Sequence, residues 1–321
     1  MDLSGLRQGA LPEEGCQKIK FRYIMTIFLV ESMTSLTQRR IVLAVATLVA
    51  LWLPFSQSAS QADRTGKRGV PSLRLRSQAA VAVDIENRVI LYDKNPTVQR
   101  SIASITKLMS VLVFLELTPD LDLPTIILHE DRTQSTSSFP VGNSYHLIDL
   151  LHGVLMSSDN RATRALVRST GLGEEEFVNQ MNQKATEIGL RDTHFADPTG
   201  LSPENVSSAL DCVKLIETAL GDSLIAAIST KREHHCRSLL KKRLVHLYNT
   251  NRLLSNSNLQ VLVGKTGFIR SSGYCLATCV GDQNGKKIVF VVLGAPSNTT
   301  RFQEMYKLIR WTSQNYKLAI S

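Results

Sequence analysis

Ala79-Ala80-Val81-Ala82-Val83-Asp84, followed beyond Glu86-Asn87 by Val89-Ile90-Leu91-Tyr92, is the stretch on which the fold turns. Alternating apolar residues over 79–84 and 88–92 about a polar pair predict a β-hairpin near the start of the folded part. Three further apolar runs, 261–263, 274–280 and 287–293, predict strands near the other end, and 299–316 predicts a closing helix. The residues between carry helical spacing at 104–117, which Pro119 ends, and at 145–169, 174–189 and 208–220. Strands at both chain ends with helices between them predict an α+β architecture, in which one sheet is built from the two ends and a mostly helical lobe, about 120–250, is inserted.

Three short strings sit on this frame in fixed order: Ser104-Ile105-Thr106-Lys107, Ser158-Asp159-Asn160 and Lys265-Thr266-Gly267. If a helix begins at Ser104, residues three apart share a face and the Lys107 amine reaches the Ser104 hydroxyl. A serine hydroxyl is a weak nucleophile until a neighbour takes its proton, and a lysine does so near neutral pH only if its own pKa is lowered. Burial and a second cation both lower it, and Lys265 is the candidate cation if folding brings the third string against the first. Lys265 would also attract a substrate carboxylate. Thr266 would donate a hydrogen bond, and Gly267 would let a backbone edge approach the substrate closely. Ser158 is placed to relay a proton to a leaving amine, and the Asn160 amide to hold Lys107 and substrate in register. An oxyanion needs two backbone N–H donors, for which Ser104 and Phe268 are the candidates.

A lone Ser-x-x-Lys carries little weight, and the chain holds a second one, Ser238-Leu239-Leu240-Lys241, which falls in a basic run and reads as solvated surface. The ordered triplet carries much more, because it is a signature of penicillin-binding proteins and class A β-lactamases. At these residues the chain resembles the low-molecular-mass penicillin-binding proteins, serine D,D-peptidases of the bacterial cell wall. The resemblance runs over about residues 75–318 and includes Pro140-Val141-Gly142 and Phe195-Ala196-Asp197-Pro198-Thr199-Gly200-Leu201. Leu155 to Ala162, Asn249-Thr250-Asn251 and Lys265-Thr266-Gly267-Phe268 look most like the D-alanyl-D-alanine endopeptidase subgroup; carboxypeptidase relatives usually have a histidine in place of Phe268.

The resemblance implies a β-lactamase/transpeptidase-like fold with an antiparallel sheet, and hydrolysis of D-alanyl cross-links in peptidoglycan through a Ser104 acyl-enzyme. It implies peptidoglycan stem peptides as substrate, β-lactam antibiotics as covalent inhibitors, and other wall enzymes as possible partners. It sets Arg301 near a substrate carboxylate; an exposed residue on the last helix is the competing reading. Many carboxypeptidase relatives carry an extra C-terminal β domain; the 54 residues after Gly267 are expected to form two strands and a closing helix without one. The alternatives are a D-alanyl-D-alanine carboxypeptidase, a class A β-lactamase, or a wall-binding protein with vestigial catalytic residues. A class A enzyme resembles its kin in carrying a deacylating glutamate roughly thirty-five residues after the Ser-Asp-Asn serine; here Arg191 to Pro198 contains none.

At 43% hydrophobic and 20% charged residues, the chain has enough apolar material for a full core and is not a disordered protein. The net charge of +9 is dispersed without aromatic interleaving, which argues against nucleic acid. Arg39-Arg40, the apolar run Ile41 to Phe55 and Ser58-Ala59-Ser60-Gln61-Ala62 form the three parts of a secretory signal. The expectation is therefore a signal peptide over 33–60 with cleavage near Ser60 or Ala62 and a periplasmic product. Residues 1–32 would then be an upstream extension, with translation starting at Met33 or Met25, and 61–74 a flexible spacer before a catalytic domain over 75–321. An uncleaved membrane anchor is the rival, although the apolar run is shorter than the roughly 20 residues a spanning helix needs. Cys212, Cys236, Cys275 and Cys279 are even in number and permit disulfides, but Cys275 and Cys279 on one strand lie too far apart to bridge each other. His234-His235-Cys236 lacks a fourth ligand at useful spacing, so neither a metal nor a cofactor is expected.

Overall fold

The computed structural model describes residues 72–117 and 120–320. The upstream extension, the signal peptide and all but the last residues of the spacer lie outside the described residues. Among those described, no helix is long and apolar enough to cross a membrane.

Strands β1 (Ala79–Asp84) and β2 (Val89–Lys94) form the expected hairpin. Asp84 closes its turn by accepting from the backbone N–H groups of Glu86 and Asn87. A short β3 (Arg100–Ser101) and a 3-10 turn over Ala103–Ile105 lead into α1 (Thr106–Leu117). Next come β4 (Pro124–Ile126), β5 (Ser144–His146), α2 (Leu147–Leu155), α3 (Asn160–Ser169), α4 (Glu174–Glu187), β6 (Val206–Ser207), α5 (Ala209–Gly221) and α6 (Ser223–Ser229). A hairpin of β7 (Glu233–Arg237) and β8 (Leu244–Tyr248) precedes β9 (Gln260–Ile269), β10 (Gly273–Gly281), β11 (Lys287–Ala295) and α7 (Asn298–Tyr316).

The main sheet runs β2-β1-β11-β10-β9, every pairing antiparallel, so both chain ends build it and β9 forms one edge. Its two faces are buried against different partners. Side chains such as Val81, Val83, Val289, Val291 and Ala277 face the helices of the inserted lobe. Those between them, such as Ala82, Phe290, Val292 and Leu276, face Phe302, Met305 and Leu308 of α7. Each such Val, Leu, Met or Phe side chain contributes about 1.5–3 kcal/mol on burial, which helps fix the sheet between two helical layers. Double coverage also explains why β1 is buried at every position and does not alternate between core and solvent.

Several boundaries differ from the sequence reading. Ser104 lies in the 3-10 turn and the α-helix proper begins at Thr106. The 145–169 pattern is a strand end plus two helices, broken at Met156–Asp159. Strand β9 extends well beyond 261–263, because Gly264, Lys265, Thr266 and Gly267 interrupt the apolar pattern while remaining buried strand residues. The β7–β8 hairpin was not expected, because only Cys236, Val245 and Leu247 of this highly charged stretch are buried. Ser238, expected at a solvated surface, is fully buried at the hairpin turn, where its Oγ accepts from the Lys241 N–H, while Leu240 beside it is exposed. All four described cysteines are free and buried.

Candidate active site

The loop and turn before α1 deliver Ser104 to the sheet edge. Ala103 adopts a left-handed φ of 47°, a strained conformation for a residue with a Cβ, and two glycines make room for it. A Cβ on Gly267 would lie 2.6 Å from the Ile102 carbonyl oxygen and 3.1 Å from Ser104 N. One on Gly200, itself at φ 77°, would lie 2.2 Å from the Ala103 oxygen. Strand β9 and the 197–200 turn therefore close on the Ser104 backbone from two sides.

One helical step on, Lys107 is fully buried. Its Nζ donates to Ser104 Oγ at 3.1 Å, to Asn160 Oδ1 at 2.6 Å and to the Thr199 carbonyl oxygen. Burial pulls its pKa down to about 7, against the opposing pull of the Asp197 and Asp159 charges. A neutral amine at that distance can take the hydroxyl proton. Asn160 is the first residue of α3 and is aimed by its neighbours: its Nδ2 donates to Ser135 Oγ at 2.8 Å. Asp159 caps the helix at the Ala162 N–H and accepts from Ser137 Oγ and the Ser138 N–H.

Ser158 occupies the break between α2 and α3 at φ 59°, and its Oγ accepts from Lys265 Nζ at 2.8 Å. Lys265, also buried, has its pKa driven well below the ordinary value by burial first, then by the like charges of Lys107 and Arg301. Thr266 Oγ1 meets Thr250 Oγ1 at 2.6 Å, and Thr250 in turn donates to the Met156 carbonyl through both its N–H and its hydroxyl. Phe268 is half exposed and stacks on Tyr274 with ring centroids 4.1 Å apart. Arg301 is not an exposed helix residue. It is 5% exposed, donates to the carbonyls of Gly267 and Cys275 at 3.2 and 3.1 Å, and lies over the Tyr274 ring. Burial lowers its pKa to about 10.

The three strings thus meet at the β9 edge. Supporting residues that the sequence reading left without a role are Ser135, Thr250, Thr199 and above all Asp197. Burial alone would raise the Asp197 carboxyl, yet hydrogen bonds from Thr199, Ser202 and Asn205 hold it below its ordinary value. It fixes the turn whose Thr199 carbonyl meets Lys107. The Asp-Pro-Thr-Gly spelling of that turn was the available signal.

A family described as D-alanyl-D-alanine carboxypeptidase matches residues 65–297, and the chain belongs to this peptidase family. It is 34% identical to a D-alanyl-D-alanine endopeptidase of Pseudomonas aeruginosa over 85% of this chain and 90% of that one. It is 34% identical to a D-alanyl-D-alanine endopeptidase of Escherichia coli over 74% and 77%. Among solved structures, the Streptomyces K15 DD-transpeptidase superposes with a TM-score of 0.71 at 25% identity, covering 76% of this chain and all of that one.

Proposed function

We propose that the protein is a serine D,D-peptidase that hydrolyses D-alanyl cross-links of peptidoglycan, a D-alanyl-D-alanine endopeptidase. The observation that carries the chemistry is the buried Lys107 amine, with its pKa near 7, held on the Ser104 hydroxyl. Neutral Lys107 takes the proton as Ser104 Oγ attacks the carbonyl of a D-alanyl residue, with the Ser104 and Phe268 N–H groups holding the oxyanion. Ser158, bonded to Lys265, passes a proton to the departing amine. Water then releases the acyl group, and Asn160 keeps Lys107 in place for both halves. The substrate extends along the open edge of β9 by main-chain pairing. Lys265, Thr266, Gly267 and Arg301 receive its carboxylate end.

The names of these two endopeptidase relatives favour the endopeptidase reading, and so does Phe268 in place of a histidine. β-Lactams should acylate Ser104 and persist. Arg191 to Pro198, where a class A β-lactamase carries its deacylating glutamate, contains none, which supports a persistent adduct. Action on the wall requires export, which the leader supplies, and the periplasm is the proposed compartment.

Cross-linked dimeric muropeptides and a free pentapeptide, each incubated with purified protein and resolved by chromatography, test the reading. Conversion of dimer to monomers faster than release of terminal D-alanine supports it. Terminal D-alanine release alone would make the protein a carboxypeptidase, and rapid turnover of penicillin a β-lactamase.

A further inference from the structure

On the inserted lobe, Asp149 of α2 meets His234 and Cys236 of β7, with one ligand atom from each residue lying within 4.8 Å of the others. Strand geometry places His234 and Cys236, two apart, on the inward face, while His235 turns outward to pack against His246. The run His234-His235-Cys236 thus contributes two ligands, and the third comes from a helix far away in sequence. Asp149 Oδ1 accepts from His234 Nε2 at 3.0 Å, and the Cys236 thiol makes no hydrogen bond among the described residues. The buried Tyr145 hydroxyl is close enough to feel the charges of Cys236, Arg243 and Asp149.

We propose that Asp149, His234 and Cys236 form a binding site for a borderline-soft divalent cation of the zinc class, with water in the fourth position. A carboxylate, an imidazole and a thiolate are the donor set such ions prefer. Bonds of about 2.0–2.3 Å set tetrahedral donors about 3.3–3.8 Å apart, so the present cluster needs only a small contraction. His152 stays outside the set. Its ring stacks on His234 at 3.7 Å, but its nitrogens are engaged by the Ile148 carbonyl and Lys231 Nζ. As the Sγ–metal bond forms, the thiol proton leaves to solvent, so binding strengthens as pH rises.

The site clips α2 to β7. The end of α2 runs into the Ser158 loop, while β8, paired with β7, runs into Thr250, which bonds Met156 and Thr266. An occupied site would stiffen the frame that aims Ser158 and Lys265, so the cation acts as a structural clamp.

Cobalt(II) chloride added to chelator-stripped full-length protein provides the test. The expected result is one bound ion per chain, with the intense visible bands of four-coordinate cobalt and a thiolate-to-cobalt charge-transfer band, both erased by zinc(II). Cys236→Ser should abolish the charge-transfer band, and Asp149→Asn should weaken affinity at least about 10-fold. Circular dichroism would show that each variant is folded; if Cys236→Ser is not, His234→Ala carries the same affinity readout. The weak spectrum of six-coordinate aqueous cobalt, or a charge-transfer band that survives Cys236→Ser, would overturn the proposal and leave Asp149–His234 as a plain ion pair.

Discussion

Lys107, at the root of α1, and Lys265, on the edge strand β9, are both buried with lowered pKa values, yet their surroundings differ. Lys107 is met by three acceptors, Ser104 Oγ, Asn160 Oδ1 and the Thr199 carbonyl, and feels the distant charges of Asp197 and Asp159. These offset part of the cost of burial and leave the amine near neutrality at physiological pH, where a base works best. Lys265 has Ser158 Oγ and the Thr266 carbonyl for partners, and positive charge on Lys107 or Arg301 opposes its own. An arriving carboxylate would relieve that repulsion. The contrast supports the proposed division of roles, proton transfer for the first lysine and anion reception for the second.

Exchanging Lys107 for Met should have the largest effect. Acylation by a β-lactam, followed by intact-protein mass spectrometry, should slow about 10³-fold or more, in keeping with the loss of a general base. Thermal or urea unfolding of the same variant should show a gain of about 1–2 kcal/mol, because an amine buried for function is gone. Lys265→Met should slow acylation by about 10²-fold, the scale of one electrostatic stabiliser, and should raise the substrate concentration needed for half-maximal rate. Equal losses in both variants, without that difference in substrate dependence, would erase the proposed division of labour. Gly267→Ala tests the geometry that brings the two lysines together. Its Cβ would press on the Ile102 carbonyl and move β9 off Ser104, costing about 10²-fold for a shift near 1 Å. The smallest effect belongs to Phe268→His. Its half-exposed ring should change stability by no more than about 0.5 kcal/mol while shifting the ratio of cross-link cleavage to terminal D-alanine release by a few fold.

Much of this was legible in the sequence. The hairpin Ala79–Lys94 and the strands toward the other chain end are apolar enough to announce one sheet, and the ordered match to a known family signature picked out the three strings. Length and local start were less legible where function overrides pattern. Lys265 and Thr266 are polar residues in a buried strand, so β9 looked short, and the Ala103 backbone bends the start of α1 into a 3-10 turn for which its side chain gives no cue. Residues that act through long-range contact were illegible for a different reason. Thr250 touching Thr266, and Asp149 touching His234, join segments whose proximity only the packed lobe creates.

The pH dependence of Ser104 acylation tests the central claim most directly. Folding lowers the Lys107 pKa from 10.5 to about 7, so the unfolded chain holds that proton between those values while the folded chain has released it. The lysine's contribution to stability therefore rises with pH across that window. The rate at which a penicillin adduct forms on the peptide containing Ser104 should likewise climb as pH passes through about 7 and then level off. No adduct at Ser104, or a rate that keeps climbing toward the ordinary lysine pKa near 10.5, would contradict the account.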